Sequence, residues 1–199
     1  LIYFVMTLVQ ILLLLLGGMP LFDALTTSFG TAGTGGFGIK NNSIAFYDSY
    51  YLQGVITVFM ILFGINFNVY YLFLVKRFKE GLLCEEARVY LGIILASVVF
   101  ITWNVRGMFP NLFDAFHHVA FQVGSIITTT GFSTVDFDQW PQFSKSILIG
   151  LMLIGACAGS TGGGMKVSRI VIWVKETGRE IASLLHPRCV KVIKMEGKA

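Results

Sequence analysis

The chain has 199 residues, of which 55% are hydrophobic and only 13% are charged, and its mean hydropathy is +0.73. Soluble domains carry about 25% charged residues, so this composition excludes an ordinary soluble protein and predicts one embedded in a lipid bilayer. The formal net charge of +4 comes from basic residues that flank apolar runs and do not form a stripe interleaved with aromatic residues. This placement disfavours nucleic acid as a partner.

Four apolar stretches follow one another along the chain, at residues 1–19, 51–75, 89–108 and 147–174. Each contains about 20 residues or more, enough for a helix to cross a hydrocarbon core of about 30 Å. The chain is therefore predicted to be an all-α membrane protein. Basic residues follow the second and fourth stretches, so the positive-inside rule places those ends in the cytoplasm.

A repeated pattern lies between these stretches. Leu-Phe-Asp-Ala at 21–24 leads to Thr34, Gly35, Gly36 and Phe37, and the same four residues at 112–115 lead to Thr129, Thr130, Gly131 and Phe132. The first motif recurs after 91 residues (21 to 112) and the second after 95 (36 to 131), which predicts that the second short helix is four residues, or about one turn, longer. The predicted architecture is two repeats of span, pore helix, re-entrant loop and span, over 1–80 and 81–199.

The two Thr-x-Gly-Phe loops are predicted to form part of an ion filter. A loop at membrane depth presents backbone carbonyls that can replace the water around a cation. Gly36 and Gly131 can adopt positive φ at little cost, and the short helices point the negative ends of their dipoles inward. Phe37 and Phe132 are predicted to wedge the loops against surrounding helices. Ordinary loop residues would have no reason to recur at matched positions.

The last stretch contains five glycines in ten positions, 155–164. Each glycine costs about 1 kcal/mol in a helix interior, so the span is predicted to break here into a mobile loop that obstructs ion flow. The residues of this gate loop are Gly155, Gly159, Ser160, Thr161, Gly162, Gly163, Gly164 and Lys166. Close helix packing by small residues remains an alternative, and Lys166 would either face the exit or reach the membrane interface.

Several other patterns give weaker evidence for a function. Residues 33–38 fit a dinucleotide-binding fingerprint but follow an apolar helix and no strand, and residues 159–166 resemble a P-loop with Met165 in place of lysine. No cofactor is predicted, and no nucleophile, base and acid come together as in an enzyme. His117 and His118 are interpreted as packing residues, while Asn66 and Asn68 would either line a cavity or bond to neighbouring helices.

With these residues, the chain resembles the Trk/Ktr/HKT superfamily of potassium transporters. The most specific segment is Gly-Ser-Thr-Gly-Gly-Gly-Met-Lys-Val at 159–167, and the two Thr-x-Gly-Phe loops match as well. The resemblance implies four fused channel-like units around one pore, of which this chain holds two that resemble the second and third. It is therefore expected to be a fragment that lacks the first and fourth filter segments.

The resemblance also implies a function and partners. It predicts uptake of potassium, or of sodium with it, through filter carbonyls, with the glycine-rich loop as an intramembrane gate. It implies a homodimer of full-length membrane subunits in the bacterial inner membrane, resting on a cytoplasmic nucleotide-binding regulatory ring that the basic stretch 166–194 would contact. A different class of answer is a structural or receptor-like membrane protein whose glycines only pack helices.

Overall fold

The computed structural model describes residues 2–185, apart from the side chains at 78, 80, 82 and 185. The helices are α1 (Ile2–Leu16), α2 (Leu21–Ala32), α3 (Tyr50–Phe63), α4 (Phe67–Leu74), α5 (Phe78–Leu83), α6 (Glu85–Val105), α7 (Leu112–Ile127), α8 (Gln142–Leu153) and α9 (Val167–Leu185). Within 2–185 there is no strand, only an isolated bridge between Ile154 and Met165, and the all-α prediction is confirmed. The predicted partner contact beyond residue 185 lies outside the described residues.

The two short helices of the repeat are α2 and α7. Helix α2 has 12 residues and α7 has 16, which confirms the predicted difference of four. Asp23 and Asp114 lie in their first turns, where a negative charge suits the positive end of the helix dipole. Helices α1 and α3 pack around α2, and α6 and α8 pack around α7.

The second apolar stretch is not one straight helix. Helices α3 and α4 meet at an angle of 93°, so the prediction of an uninterrupted span over 51–75 is wrong. The Asn66 side chain accepts a hydrogen bond from the Asn68 amide (2.9 Å) and thereby starts a new helix, directly after Gly64 has ended the first one. The bend thus has a local cause.

The helices differ in whether they could cross a membrane unaided. Among the described residues one helix, Glu85–Met108, is long and apolar enough, and the bent pair α3 and α4 makes a second if it counts as one span. Helices α1 and α8 are apolar but have 15 and 12 residues, fewer than the roughly 20 that a straight crossing needs. Helix α8 is short because the glycine-rich segment follows it.

Two buried clusters hold the helices together. One is built on α6, α7 and α8 and includes Ala156 and Cys157 of the glycine-rich loop. The other is built on α1, α2 and α3, and it also takes in Phe121 and Phe132 from the second repeat. Because the second repeat fills part of the first repeat's core, the two loops that follow α2 and α7 are brought side by side.

Candidate functional site

Helix α2 ends in a Schellman motif. The Gly35 amide donates to the Gly30 carbonyl (2.8 Å) and the Thr34 amide donates to the Thr31 carbonyl (3.2 Å). Thr34, the first residue after the helix cap, has a φ of +50°, in the left-handed region where such a motif usually places glycine. A left-handed conformation costs a residue with a side chain about 1–2 kcal/mol.

Helix α7 ends with the same hydrogen bonds. The Thr130 amide donates to the Ser125 carbonyl (2.9 Å) and the Thr129 amide donates to the Ile126 carbonyl (3.0 Å). Thr129 has a φ of +59°, so it matches its counterpart in the first repeat. Nothing in the residue pattern predicted positive φ at two threonines, because β-branched residues rarely adopt it.

Both loops then continue with a glycine of positive φ, after one intervening residue. The φ angles are +64° at Gly36 and +89° at Gly131, as expected for residues without a Cβ atom. Each loop therefore alternates between left-handed and ordinary backbone over three residues. Two copies with the same alternation make this a property of the repeat.

The two loops touch each other through backbone. A Cβ atom at Gly36 would lie 1.8 Å from the carbonyl oxygen of Thr130 and 3.2 Å from the carbonyl carbon of Gly131. Only glycine permits this approach. The same test finds open space around Gly131, so its glycine is explained by its φ and not by packing.

The two phenylalanines of the motifs have different environments. Phe132 is fully buried, and a Cβ atom at Gly30 of α2 would lie 3.2 Å from its ring, so it wedges the second loop against the first repeat as predicted. Phe37 is 85% exposed, and the prediction that it wedges its own loop is wrong for this chain. Its ring folds over Gly35 because no described helix covers that side.

Side chains brace the second loop more than the first. The Ser125 hydroxyl donates to the Phe132 carbonyl (2.6 Å), and the hydroxyls of Thr128 and Thr130 are 2.8 Å apart. The first repeat has glycine at each of the three corresponding positions, 30, 33 and 35. Its loop is therefore held mainly by the backbone and by its neighbours.

The glycine-rich segment between α8 and α9 is a compact closed loop. The Gly155 amide donates to the Met165 carbonyl (2.8 Å), and the Met165 amide donates to the Leu153 carbonyl (3.2 Å). Across this neck, a Cβ atom at Gly155 would lie 1.9 Å from the carbonyl oxygen of Gly163. The interruption is thus a loop, as the residue pattern predicts, and its base is closed by backbone hydrogen bonds.

This loop lies directly against both Thr-x-Gly-Phe segments. The Thr34 hydroxyl donates to the Thr161 carbonyl (3.1 Å), and the Gly163 amide donates to the Thr129 hydroxyl (2.7 Å). The two threonines with positive φ are therefore the two that bind the loop. A glycine would relieve their backbone strain but would supply no hydroxyl.

Lys166 lies at the end of the loop. Its ammonium group donates to the carbonyl oxygen of Gly162, within the loop itself. The side chain therefore turns back onto the loop. The other predicted loop residues, Gly159, Ser160 and Gly164, lie on the loop's surface or part-buried within it, and Gly159 and Gly164 have positive φ.

The sequence patterns did not indicate Glu86, which is only 2% exposed. Its carboxylate accepts hydrogen bonds from the Ala158 amide (2.6 Å), the Ser168 amide (3.1 Å) and the Asn66 side chain (2.9 Å). The sequence offered one signal for this role, an acidic residue at the start of an apolar span. The same residue could equally belong to the polar connector that precedes α6. Asn66 is thus bonded to a neighbouring helix, one of the two alternatives left open.

The remaining polar residues of the spans also bond to neighbouring elements. Asn104 accepts from the Ser144 hydroxyl (2.8 Å), His117 is 2.9 Å from the Gln53 side-chain oxygen, and His118 is 3.1 Å from the Thr134 hydroxyl. At the other end of α2, Asp23 accepts from the Tyr47 hydroxyl, and burial together with this carboxylate raises the pKa of the Tyr47 phenol. The phenol thus remains a hydrogen-bond donor.

The contact between the two loops is made by uncharged backbone groups, among them the carbonyl oxygen of Thr130. Within residues 2–185, no cluster of three His, Cys, Asp or Glu residues could hold a metal ion. Neutral carbonyls can replace the hydration shell of a cation without adding a charge that would trap it.

Comparison with known proteins identifies relatives over the whole chain. The family model described as TrkH, cation transport protein, matches residues 1–103 and 103–199. The chain is 37% identical to the Trk system potassium uptake protein TrkH of Salmonella typhimurium, covering 100% of this chain and 42% of that protein. It is 33% identical to TrkG of Escherichia coli strain K12, covering 92% of this chain and 38% of that protein.

A solved structure has the same fold. The crystal structure of the potassium transporter TrkH from Vibrio parahaemolyticus matches with a TM-score of 0.93 at 34% identity, over 100% of this chain and 43% of that one. The chain thus spans less than half the length of these relatives. They are named as transport and uptake proteins. The chain belongs to the TrkH family of cation transport proteins.

Proposed function

We propose that this chain forms two of the four units of a potassium uptake transporter, and that its Thr-x-Gly-Phe loops supply half of the ion filter. One observation carries the proposal: the two copies share the same helix ending and the same alternation of φ, and they meet at Gly36 and Thr130. The relatives named as Trk potassium uptake proteins support it.

The backbone alternation suits cation binding. In an extended strand successive carbonyls point to opposite sides. A residue of positive φ reverses one peptide, so neighbouring carbonyls can face the same side and surround an ion. The filter residues in this proposal are Thr34, Gly35, Gly36, Phe37, Thr129, Thr130, Gly131 and Phe132. Potassium is the proposed substrate, and sodium permeation is an outcome of the test below.

The glycine-rich loop is the proposed gate. It lies against both filter segments through Thr161 and Gly163, so an ion leaving the filter on that side would meet it. Its base is closed by the hydrogen bonds between residues 153–155 and 165. Moving the loop aside therefore requires breaking its bonds to the two filter threonines.

The exposure of Phe37 supports the proposal that a further unit lies beside the first repeat. Phe132 packs against the pore helix of the repeat before it, whereas Phe37, its counterpart, is 85% exposed. A further unit preceding the first repeat would cover Phe37 in the same way.

The proposed setting is a multi-pass protein of the bacterial inner membrane, a homodimer of full-length subunits that rests on a nucleotide-binding cytoplasmic ring.

A second candidate function is a structural membrane protein whose glycines only allow close packing. The short approaches at Gly36, Gly155 and Gly162 favour it. Gly131 argues against it, because a Cβ atom there would meet nothing within 4 Å and the residue is nevertheless in the left-handed region.

The test is uptake by the full-length transporter that contains these repeats, expressed in a bacterium that lacks its own potassium uptake. Gly131→Ser should reduce rubidium uptake or admit sodium, whereas Gly92→Ser, in open space on α6, should leave both unchanged at equal expression. Deleting residues 159–164 should leave uptake permanently on. Normal, regulated uptake in both Gly131→Ser and the deletion variant would contradict the proposal.

A further inference from the structure

Glu86 lies where three segments of the chain meet. It is in the first turn of α6 and contacts the bend between α3 and α4 through Asn66, the glycine-rich loop through Ala158, and the start of α9 through Ser168. Beside it, the Cys157 amide donates to the Gly64 carbonyl (3.0 Å).

The bonds at Glu86 suit a carboxylate. Amides at positions 158 and 168 both donate to the same oxygen, and the second belongs to the first turn of α9, where amides have no partner within the helix and the dipole favours negative charge. Hydrogen bonds to a charged group contribute more to stability than those between neutral groups. A buried carboxylate in turn needs these donors, because an unpaired buried charge is costly.

We propose that Glu86 is the positioning residue that holds the glycine-rich loop closed against the filter. The loop is fixed at two levels, by Thr34 and Thr129 at the filter and by Glu86 near its base. Displacing the loop pulls Ala158 away from the carboxylate, so this bond sets part of the free energy that keeps the gate closed. The inference rests on the proposed function, since it assigns a regulator to the same gate.

The orientation of the Asn66 amide makes a sharp test possible. Its oxygen already accepts from the Asn68 amide (2.9 Å), so its nitrogen must face Glu86. In Glu86→Gln, the side-chain nitrogen of the glutamine would face either the side-chain nitrogen of Asn66 or the backbone amide of Ala158, and both of these groups are donors. Asn66→Asp places two carboxylates together. The double variant Asn66→Asp with Glu86→Gln restores one donor and one acceptor, because aspartate also suits the start of α4.

The experiment uses the full-length transporter with Cys157 as its only cysteine. Cys157 is a fully buried residue of the loop itself, so its rate of alkylation by a maleimide reports how often the loop moves away from its neighbours. The second measurement is rubidium uptake by the same variants at equal expression. We expect each single variant to raise both rates about tenfold or more, the factor for 1.4 kcal/mol, and the double variant to return them to within about threefold of the parent.

Glu85→Gln is the matched control. Glu85 lies in the same turn but pairs with Lys175 of α9 (2.6 Å), so its substitution should leave Cys157 protected. If Glu86→Gln fails to fold, Glu86→Asp takes its place, because the shorter side chain keeps the charge but withdraws it from the Ala158 amide. Rates equal to the parent in the folded single variants, or open rates that the double variant does not reverse, would overturn the inference.

The deletion of residues 159–164 separates the two proposals. If the deletion leaves uptake regulated as in the parent, the proposed gate is wrong and the inference falls with it. If the deletion opens the transporter while the Glu86 variants remain closed and Cys157 remains protected, the gate stands and only the role of Glu86 is overturned.

Discussion

Replacing Gly36 with alanine should force the two candidate filter loops apart. The new Cβ atom would lie 1.8 Å from the Thr130 carbonyl oxygen, and Cβ atoms essentially never approach another heavy atom within 3.0 Å, so the backbones must separate by at least 1.2 Å. The obstacle is backbone and cannot rotate away. Overpacking of this kind costs about 1–3 kcal/mol, and the positive φ adds about 1–2 kcal/mol.

Gly131→Ala provides the matched control for this prediction. Its φ is also positive, but a Cβ atom there meets nothing within 4 Å, so only the conformational cost of about 1–2 kcal/mol applies. The two variants should therefore differ by about 1–3 kcal/mol in the free energy of unfolding. The full-length transporter in detergent should show an apparent unfolding midpoint several degrees lower for Gly36→Ala than for Gly131→Ala.

Ion selectivity gives a second measurement of the same perturbation. Because the clash pushes on the Thr130 carbonyl, a proposed ion ligand, Gly36→Ala should increase sodium competition against rubidium uptake. Equal unfolding midpoints for Gly36→Ala and Gly131→Ala, with unchanged selectivity in Gly36→Ala, would refute the contact between the loops and its place in the ion pathway.

Three further predictions concern the surroundings of this contact. Phe132→Ala should lower the free energy of unfolding by about 3–5 kcal/mol because the side chain is fully buried. Phe37→Ala should cost a similar amount in the full-length transporter if another unit covers the ring, but little if the ring remains exposed. Thermal unfolding of the two variants distinguishes these outcomes. Gly64→Ala places a Cβ atom 2.2 Å from the Tyr90 hydroxyl oxygen, so it should lower the unfolding midpoint, and Tyr90→Phe should recover part of the loss in a double-mutant cycle. Thr129→Val removes the acceptor of a gate-loop amide and should raise rubidium uptake without activation, whereas Thr129→Ser should not; equal uptake in both would contradict the contact.

Local patterns were sufficient wherever one segment decides its own structure. The helical content follows from the long apolar runs, and the longer second pore helix follows from the shift between offsets of 91 and 95 residues. The helix break after Leu153 follows from the density of glycine, which costs about 1 kcal/mol per residue in a helix. The bend after Phe63 also had local signals, Gly64 and Asn66, but a long apolar run concealed them.

The environment of each side chain depended on its neighbours. Phe37 and Phe132 occupy the same place in their motifs, yet one is exposed and the other buried, because within the described residues only Phe132 packs against another repeat. The environment of Glu86 likewise depends on distant segments. A carboxylate in a first helical turn is ordinary by itself, but the hydrogen-bond partners of Glu86 lie 20, 72 and 82 residues away along the chain.

The sequence by itself determined an all-helical membrane chain with two related pore helices, two Thr-x-Gly-Phe loops and a broken last span, since hydropathy, glycine content and repeat spacing act within a segment. Only the tertiary structure decided that Gly36 meets Thr130, that two strained threonines bind the glycine-rich loop, and that Glu86 joins that loop to the surrounding helices. The physical reason is that hydrogen bonds and backbone contacts of this kind form between segments distant in the chain, so they depend on how the helices pack and not on local residue preferences.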